Sequence, residues 1–159
     1  MRERQSGFSL IELLVVVAVI LIIAAIAIPN FLRAKISANE SSAVSSAHAV
    51  DTAEISYSTM FPTIGFSVAL SDLGDGGTIP CPLTATASCF IDNVLASGTK
   101  SGYKFTYVQN NATTPAQGFT LNADPVTPNI TGQRGFFVDE SNVIRVNDTG
   151  TANVSSPPL

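Results

Sequence analysis

The chain has 159 residues, a formal net charge of −4 and only 13% charged residues. Lys and Arg are sparse and scattered, which argues against a nucleic-acid surface. There is one histidine, His48, and two cysteines, Cys81 and Cys89. No nucleophile–base pairing, zinc spacing or Gly-x-x-x-x-Gly-Lys phosphate loop is present, so an enzyme is not indicated and no cofactor is expected. The length suits one domain plus an appended element.

Residues 1–6 are short and charged, and Gly7 ends them. From Leu13 to Ile28 every residue is apolar. The span from Phe8 to Ile28 is about 21 residues, roughly 31 Å of helix at 1.5 Å per residue, close to the hydrocarbon thickness of a bilayer. Ala24-Ala25-Ile26-Ala27 mimics a signal-peptide cleavage site, but the helical pattern continues past it. Arg2 and Arg4 on one side nearly balance Arg33 and Lys35 on the other, so loop charge does not decide orientation. One carboxylate, Glu12, stands at the head of the apolar run. A carboxylate in hydrocarbon costs about 2.5–3.5 kcal/mol at mid-membrane and less near the surface, unless it is protonated or meets a cation. The nearest downstream cations, Arg33 and Lys35, lie roughly 31 Å or more along the helix, so no partner for Glu12 is expected within the chain.

The string Gly7-Phe8-Ser9-Leu10-Ile11-Glu12-Leu13-Leu14, ending in Ala-Ile-Ala-Ile-Pro-Asn-Phe at Phe31, closely resembles the N-terminus of type IV pilins and type II secretion pseudopilins. The likeness covers roughly Ser6 to Lys35. It implies a leader, residues 1–7, cut by a prepilin peptidase between Gly7 and Phe8, with N-methylation of the new Phe8 amine. It implies a retained helix, residues 8–30, that anchors the subunit in the inner membrane and later forms a filament core. In that picture Glu12 pairs with the Phe8 amine of a neighbouring subunit and sets the stagger between the two.

Pro29 lacks an N–H and crowds the carbonyl of Ala25, so a kink is expected there, with irregularity over residues 24–28. Beyond it the helical period resumes. Ile36, Ala43, Ala47, Val50, Tyr57 and Met60 follow steps of three and four with one gap at Glu40, and Val44 and Ala53 widen the stripe. Lys35, Asn39, Ser42, Ser46 and Asp51 fall on other faces. One helix is expected from about Phe8 to about Met60, with residues 31–61 as its amphipathic continuation on a head domain. His48 reads as a partly exposed helix histidine.

Residues 62–159 read as a β-rich head. Phe61-Pro62 stops the helix, and residues 63–78 with their glycines read as an irregular loop. Asp72 and Asp75 lack the ligand spacing of an EF-hand, and a solvated turn is expected although some pseudopilins bind calcium. In an exported head, Cys81 and Cys89 are expected to form a disulfide worth roughly 2–3 kcal/mol, since a metal site would need more ligands than lie nearby. Alternation over residues 103–107 and 119–123, with Phe136-Phe137-Val138 and Val143–Val146 around a turn at Asp139–Asn142, predicts three or four antiparallel strands. Residues 124–132 read as a loop, and residues 150–159 as a mobile tail. Sequons at Asn111, Asn129, Asn147 and Asn153 arise easily by chance in so polar a surface, and no glycosylation site is assigned.

The fold class is therefore α+β, a long kinked helix packed on a small antiparallel sheet. The resemblance implies a structural subunit that polymerises with its own copies into an extracellular type IV filament, with adhesion or motility functions. The assembly machinery of the inner membrane would be its partner, and the head would lie in the periplasm beforehand. The alternative is a pseudopilin of type II secretion. A tethered domain that never polymerises is a third reading, testable by an unprocessed Met1. Conduction through helix aromatics is discounted, because Phe8, Phe31 and Tyr57 are too far apart to stack.

Overall fold

The structure is a computed structural model that describes residues 8–77, 80–110 and 114–159. Gly7 and the expected leader, Thr78 and the first sequon residue Asn111 lie outside the described residues. The chain forms two compact units, Met1–Lys35 and Ile36–Leu159.

Helix α1 runs Leu10–Met60. The α-helical assignment continues through Pro29, and the irregularity expected over residues 24–28 is not seen. Asn30 Nδ2 donates to the Ile26 carbonyl at 3.1 Å, adding a donor one residue beyond the N–H that proline lacks. In the first unit the apolar side chains are exposed, from Phe8 through Leu32. Among the described residues α1 is the one helix long and apolar enough to cross a membrane.

In the second unit α1 packs on a five-stranded sheet. Strands β1 (Thr99–Lys100), β2 (Tyr103–Asn110), β3 (Gly118–Pro125), β4 (Gly135–Asp139) and β5 (Arg145–Asn147) form an antiparallel meander in chain order. The expected strands are present. β1 adds a fifth at the edge, and the last begins at Arg145 rather than Val143. The turn at Asp139–Asn142 is closed by Asn142 N–H donating to the Asp139 carbonyl at 3.0 Å, with Asn142 at φ 61. Ala43, Ala47, Val50, Ala53 and Tyr57 join Tyr103, Phe105, Phe119, Leu121, Phe136 and Val138 in one buried core. The small helix residues let α1 lie close to a sheet face of large aromatics, each worth about 1.5–3 kcal/mol of burial.

Two segments brace this core. A 3-10 turn, Leu70–Leu73, and a short helix α2, Asn93–Ala96, interrupt what reads as loop and bury Leu70, Leu73 and Leu95. Cys81 and Cys89 are disulfide-bonded with their Cα atoms 6.4 Å apart. The enclosed loop docks on α1 through Tyr57, whose hydroxyl donates to the Ala85 carbonyl at 2.7 Å. Asp72 and Asp75 serve as local acceptors, taking the N–H groups of Ala69 and Gly77 respectively.

Two expectations about the head are corrected. Met60, placed on the apolar stripe, is exposed, while Ser46 and Asp51, placed on other faces, are also buried. The helix is wrapped on more sides than one stripe, because the β3–β4 and β4–β5 connections also reach it. The tail is not free. Leu159 N–H donates to the Ile144 carbonyl and Val146 N–H to the Pro157 carbonyl, both at 2.9 Å. Arg145 Nη1 donates to the Ser156 carbonyl at 3.1 Å, so the tail supplies partners along the outer side of β5. Its first part meets the outer sheet face, where Asn122 Nδ2 donates to the Ala152 carbonyl at 2.7 Å. Asn122 is the register partner of Phe137. This explains why all of β4 is buried: α1 covers one face and the tail the other. Unpaired edge groups and an outward phenylalanine both need such a cover.

Candidate functional site

The sequence Ser9-Leu10-Ile11-Glu12 sets the start of α1. Ser9 stands at the N-cap position, where Leu13 N–H donates to its carbonyl at 3.3 Å. Glu12, at the third helical position, reaches back so that Ser9 N–H donates to Oε2 at 2.9 Å. This is the glutamate half of a capping box, and it satisfies one of the donors that every helix start leaves unpaired. A negative charge in the first turn also suits the helix dipole. The expectation that Glu12 has no partner in its own chain is thus corrected. Its partner is a backbone N–H rather than a cation. The Ser-x-x-Glu spacing was the available signal.

Phe8 precedes the helix and is 84% exposed. Phe8, Ile11, Glu12, Val15 and Val16 line one shallow apolar groove. Oε2 is engaged by Ser9, and among the described residues nothing engages Oε1. The arrangement is an apolar surface with one carboxylate oxygen held at its end and one left available.

The head contributes buried carboxylates that fasten α1. Glu40 fills the gap in the apolar stripe. Its Oε1 accepts from Gln133 N–H at 2.9 Å and Arg134 N–H at 3.2 Å, and its Oε2 from Arg134 Nε at 2.8 Å. Burial alone raises this carboxyl, but the Gln133 N–H and the Arg134 side chain and N–H outweigh it and hold the pKa below the usual range. Glu54 is fully buried. Its Oε2 accepts from Ser67 N–H at 3.0 Å and its Oε1 from Ser67 Oγ at 2.5 Å. Burial pushes the Glu54 carboxyl up, and the Ser67 hydrogen bonds oppose this without cancelling it. Tyr107 closes the cluster by donating to the Ser67 carbonyl at 2.9 Å. His48 is exposed on α1. Pro29 is internal to the helix, and the Cys81–Cys89 disulfide lies in the second unit.

Comparison with known proteins agrees with the motif. Residues 2–28 match a family model described as the prokaryotic N-terminal methylation motif. The type IV major pilin protein PilA of Myxococcus xanthus (strain DK1622) is 48% identical over 54 residues, which is 34% of this chain and 24% of that protein. The match thus spans about a quarter of that relative's length. No solved structure matches the chain. In its N-terminal motif, in its likeness to a major pilin and in its α+β fold of long helix and small antiparallel sheet, the chain is similar to the type IV pilins.

Proposed function

We propose that this chain is a structural subunit that polymerises with its own copies into an extracellular type IV pilus. The observation that carries the reading is the exposed apolar face of α1 with Glu12 fixed at its head. Exposed apolar surface on this scale needs lipid or other subunits to cover it. A lone carboxylate at its end needs a cation once water is gone. In this reading a prepilin peptidase cuts between Gly7 and Phe8, and the freed, methylated Phe8 amine of one subunit meets Glu12 of the next. Before assembly the helix crosses the inner membrane with the head in the periplasm, where the assembly machinery takes it up.

Mass spectrometry of the N-terminus, combined with electron microscopy of sheared surface fibres, tests the proposal. The expected result is a methylated Phe8 in long fibres composed of this chain. An unprocessed Met1 and no fibres would overturn it, and processed chain confined to the periplasm would point to the pseudopilin alternative.

A further inference from the structure

Glu54 on α1, Ser67 in the loop that follows α1, and Tyr107 on β2 meet in one joint. Glu54 and Ser67 are both fully buried. Ser67 N–H donates to Glu54 Oε2 at 3.0 Å, and the Tyr107 hydroxyl donates to the Ser67 carbonyl at 2.9 Å. The remaining contact has two directions open to it. Glu54 Oε1 and Ser67 Oγ lie 2.5 Å apart, and Ser67 Oγ has a second acceptor in reach, the Ala69 carbonyl at 3.3 Å. With Glu54 ionised, Ser67 Oγ donates to Oε1. With Glu54 protonated, Oε1 donates to Ser67 Oγ, and the serine turns its own proton to Ala69. Either arrangement pairs both carboxyl oxygens and the hydroxyl, so charge decides between them. An ionised carboxylate here is a charge taken out of water, and it needs a cation to offset that cost. The groups that face it supply none: Tyr57 from α1, Tyr107 from β2, Ser67 from the loop and Asp72 from the 3-10 turn. Asp72 is a second acid, already engaged with the Ala69 N–H, and its charge repels one on Glu54.

We propose that Glu54 is a proton-operated latch: at neutral pH it holds its proton on Oε1, passes the hydrogen bond through Ser67 Oγ to the Ala69 carbonyl, and releases the loop of residues 61–69 from α1 when that proton is lost. Loss of the proton leaves a buried negative charge beside Asp72, and water reaches it only if the loop lifts. The bonds that lift with it are those of Ser67 and its neighbour. Phe66 N–H donates to the Ala116 carbonyl at 3.2 Å, and Gln109 Nε2 donates to the Phe66 carbonyl at 2.6 Å. The ring of Phe66 rests on Phe119 with centroids 5.1 Å apart, so opening the latch uncovers the edge of the core. The latch is a property of the head and does not rest on the filament reading. In an extracellular fibre it would tie the compactness of each head to the pH outside the cell.

The test uses the full chain in detergent micelles, followed from neutral to alkaline pH by infrared spectroscopy and by amide hydrogen exchange. Wild type should show a protonated-carboxyl band at neutral pH that is absent from Glu54→Gln and fades as pH rises. Over the same range, protection of the Phe66 and Ser67 amides, corrected for intrinsic exchange, should fall at least about tenfold. In Glu54→Gln the side-chain amide donates to Ser67 Oγ as the acid does and cannot ionise, so protection should persist. Ser67→Ala removes the relay and keeps the acid, so its carboxyl band should remain and move to higher frequency. A neutral-pH spectrum that Glu54→Gln leaves unchanged overturns the proposal, because Glu54 is then ionised. Protection that falls equally in wild type and Glu54→Gln overturns it too, since the loop then opens for another reason. A band that does not move in Ser67→Ala places the acid's hydrogen bond elsewhere and has the same consequence.

Discussion

Ser9 N–H and Glu12 Oε2 lie 2.9 Å apart, so the carboxylate at the head of the apolar run is tied to its own helix start. One oxygen is committed and the other is left for a partner. In the proposed filament, a carboxylate held this way would enter the interface with its direction already set, lowering the entropy cost of pairing with an incoming amine.

Glu12→Gln separates the two roles. A glutamine at the third helical position still reaches back to the N-cap N–H, so helix content by circular dichroism in micelles should match wild type. It carries no charge for an amine, so filament yield should fall by an order of magnitude or more. Glu12→Ala should also lose the cap, at about 0.5–2 kcal/mol on the scale of N-terminal capping. Normal filament yield from Glu12→Gln would assign Glu12 to capping alone and remove its part in stagger.

Much of this architecture was legible from residue pattern. A long apolar run and a three-and-four stripe dictate a helix with one core face, and alternation over residues 103–107 and 119–123 dictates strands. What stayed hidden depends on partners remote in sequence. Glu40 looked like a gap in the stripe, and its N–H partner lies 93 residues away. Asp51 fell outside the apolar stripe and Glu54 drew no reading at all, because nothing local announces the turn or loop that meets them. The tail read as mobile because its order comes from the β5 edge and from Phe137, not from its own Ser- and Pro-rich composition. Ser9 was the exception: its Ser-x-x-Glu spacing was visible and carried the cap.

Glu40→Ala should lower the stability of the head by on the order of 2 kcal/mol, since it strands two loop N–H groups and the Arg134 guanidinium. Arg134→Ala should cost less, because that side chain is 40% exposed and screened by water. Glu40 has a lowered folded pKa, so its contribution is present above the unfolded carboxyl pKa and is lost as pH falls through the folded one. Urea unfolding of wild type and Glu40→Gln should therefore differ at pH 7 and converge toward pH 3. An undiminished difference in acid would mean the ion pair is not its source.

Glu54 should behave with the opposite sign. Its folded pKa is raised, so over the window between the unfolded and folded values the folded state holds a proton that the unfolded state has released. Its favourable contribution is complete below the unfolded pKa and is lost as pH rises through the folded one. Glu54→Gln removes this titration and keeps an acceptor for Ser67, so the loss of stability with rising pH should flatten. Glu54→Ala should cost about 2–4 kcal/mol through a cavity and an orphaned Ser67 N–H. A wild-type profile whose slope is unchanged in Glu54→Gln would exclude Glu54 as the titrating group.

The tail can be tested by filling the space it crosses. A Cβ on Gly135 would fall 2.3 Å from the Gly150 carbonyl oxygen and 2.9 Å from Asp124 Oδ1, so the tail backbone must move. Gly135→Ala should cost about 1–3 kcal/mol, the scale of overpacking. It should also free the strap, read as lost hydrogen-exchange protection at the Val146 and Leu159 amides, which bond to Pro157 and Ile144. Gly150→Ala is the control, because its Cβ would meet only Asn147 Nδ2, at 3.9 Å, and protection should persist. With the strap released, β5 presents open N–H and C=O groups beside an uncovered Phe137, so Gly135→Ala should self-associate with rising concentration in light scattering. If Val146 and Leu159 exchange as fast in wild type as in Gly135→Ala, the tail does not hold the sheet edge.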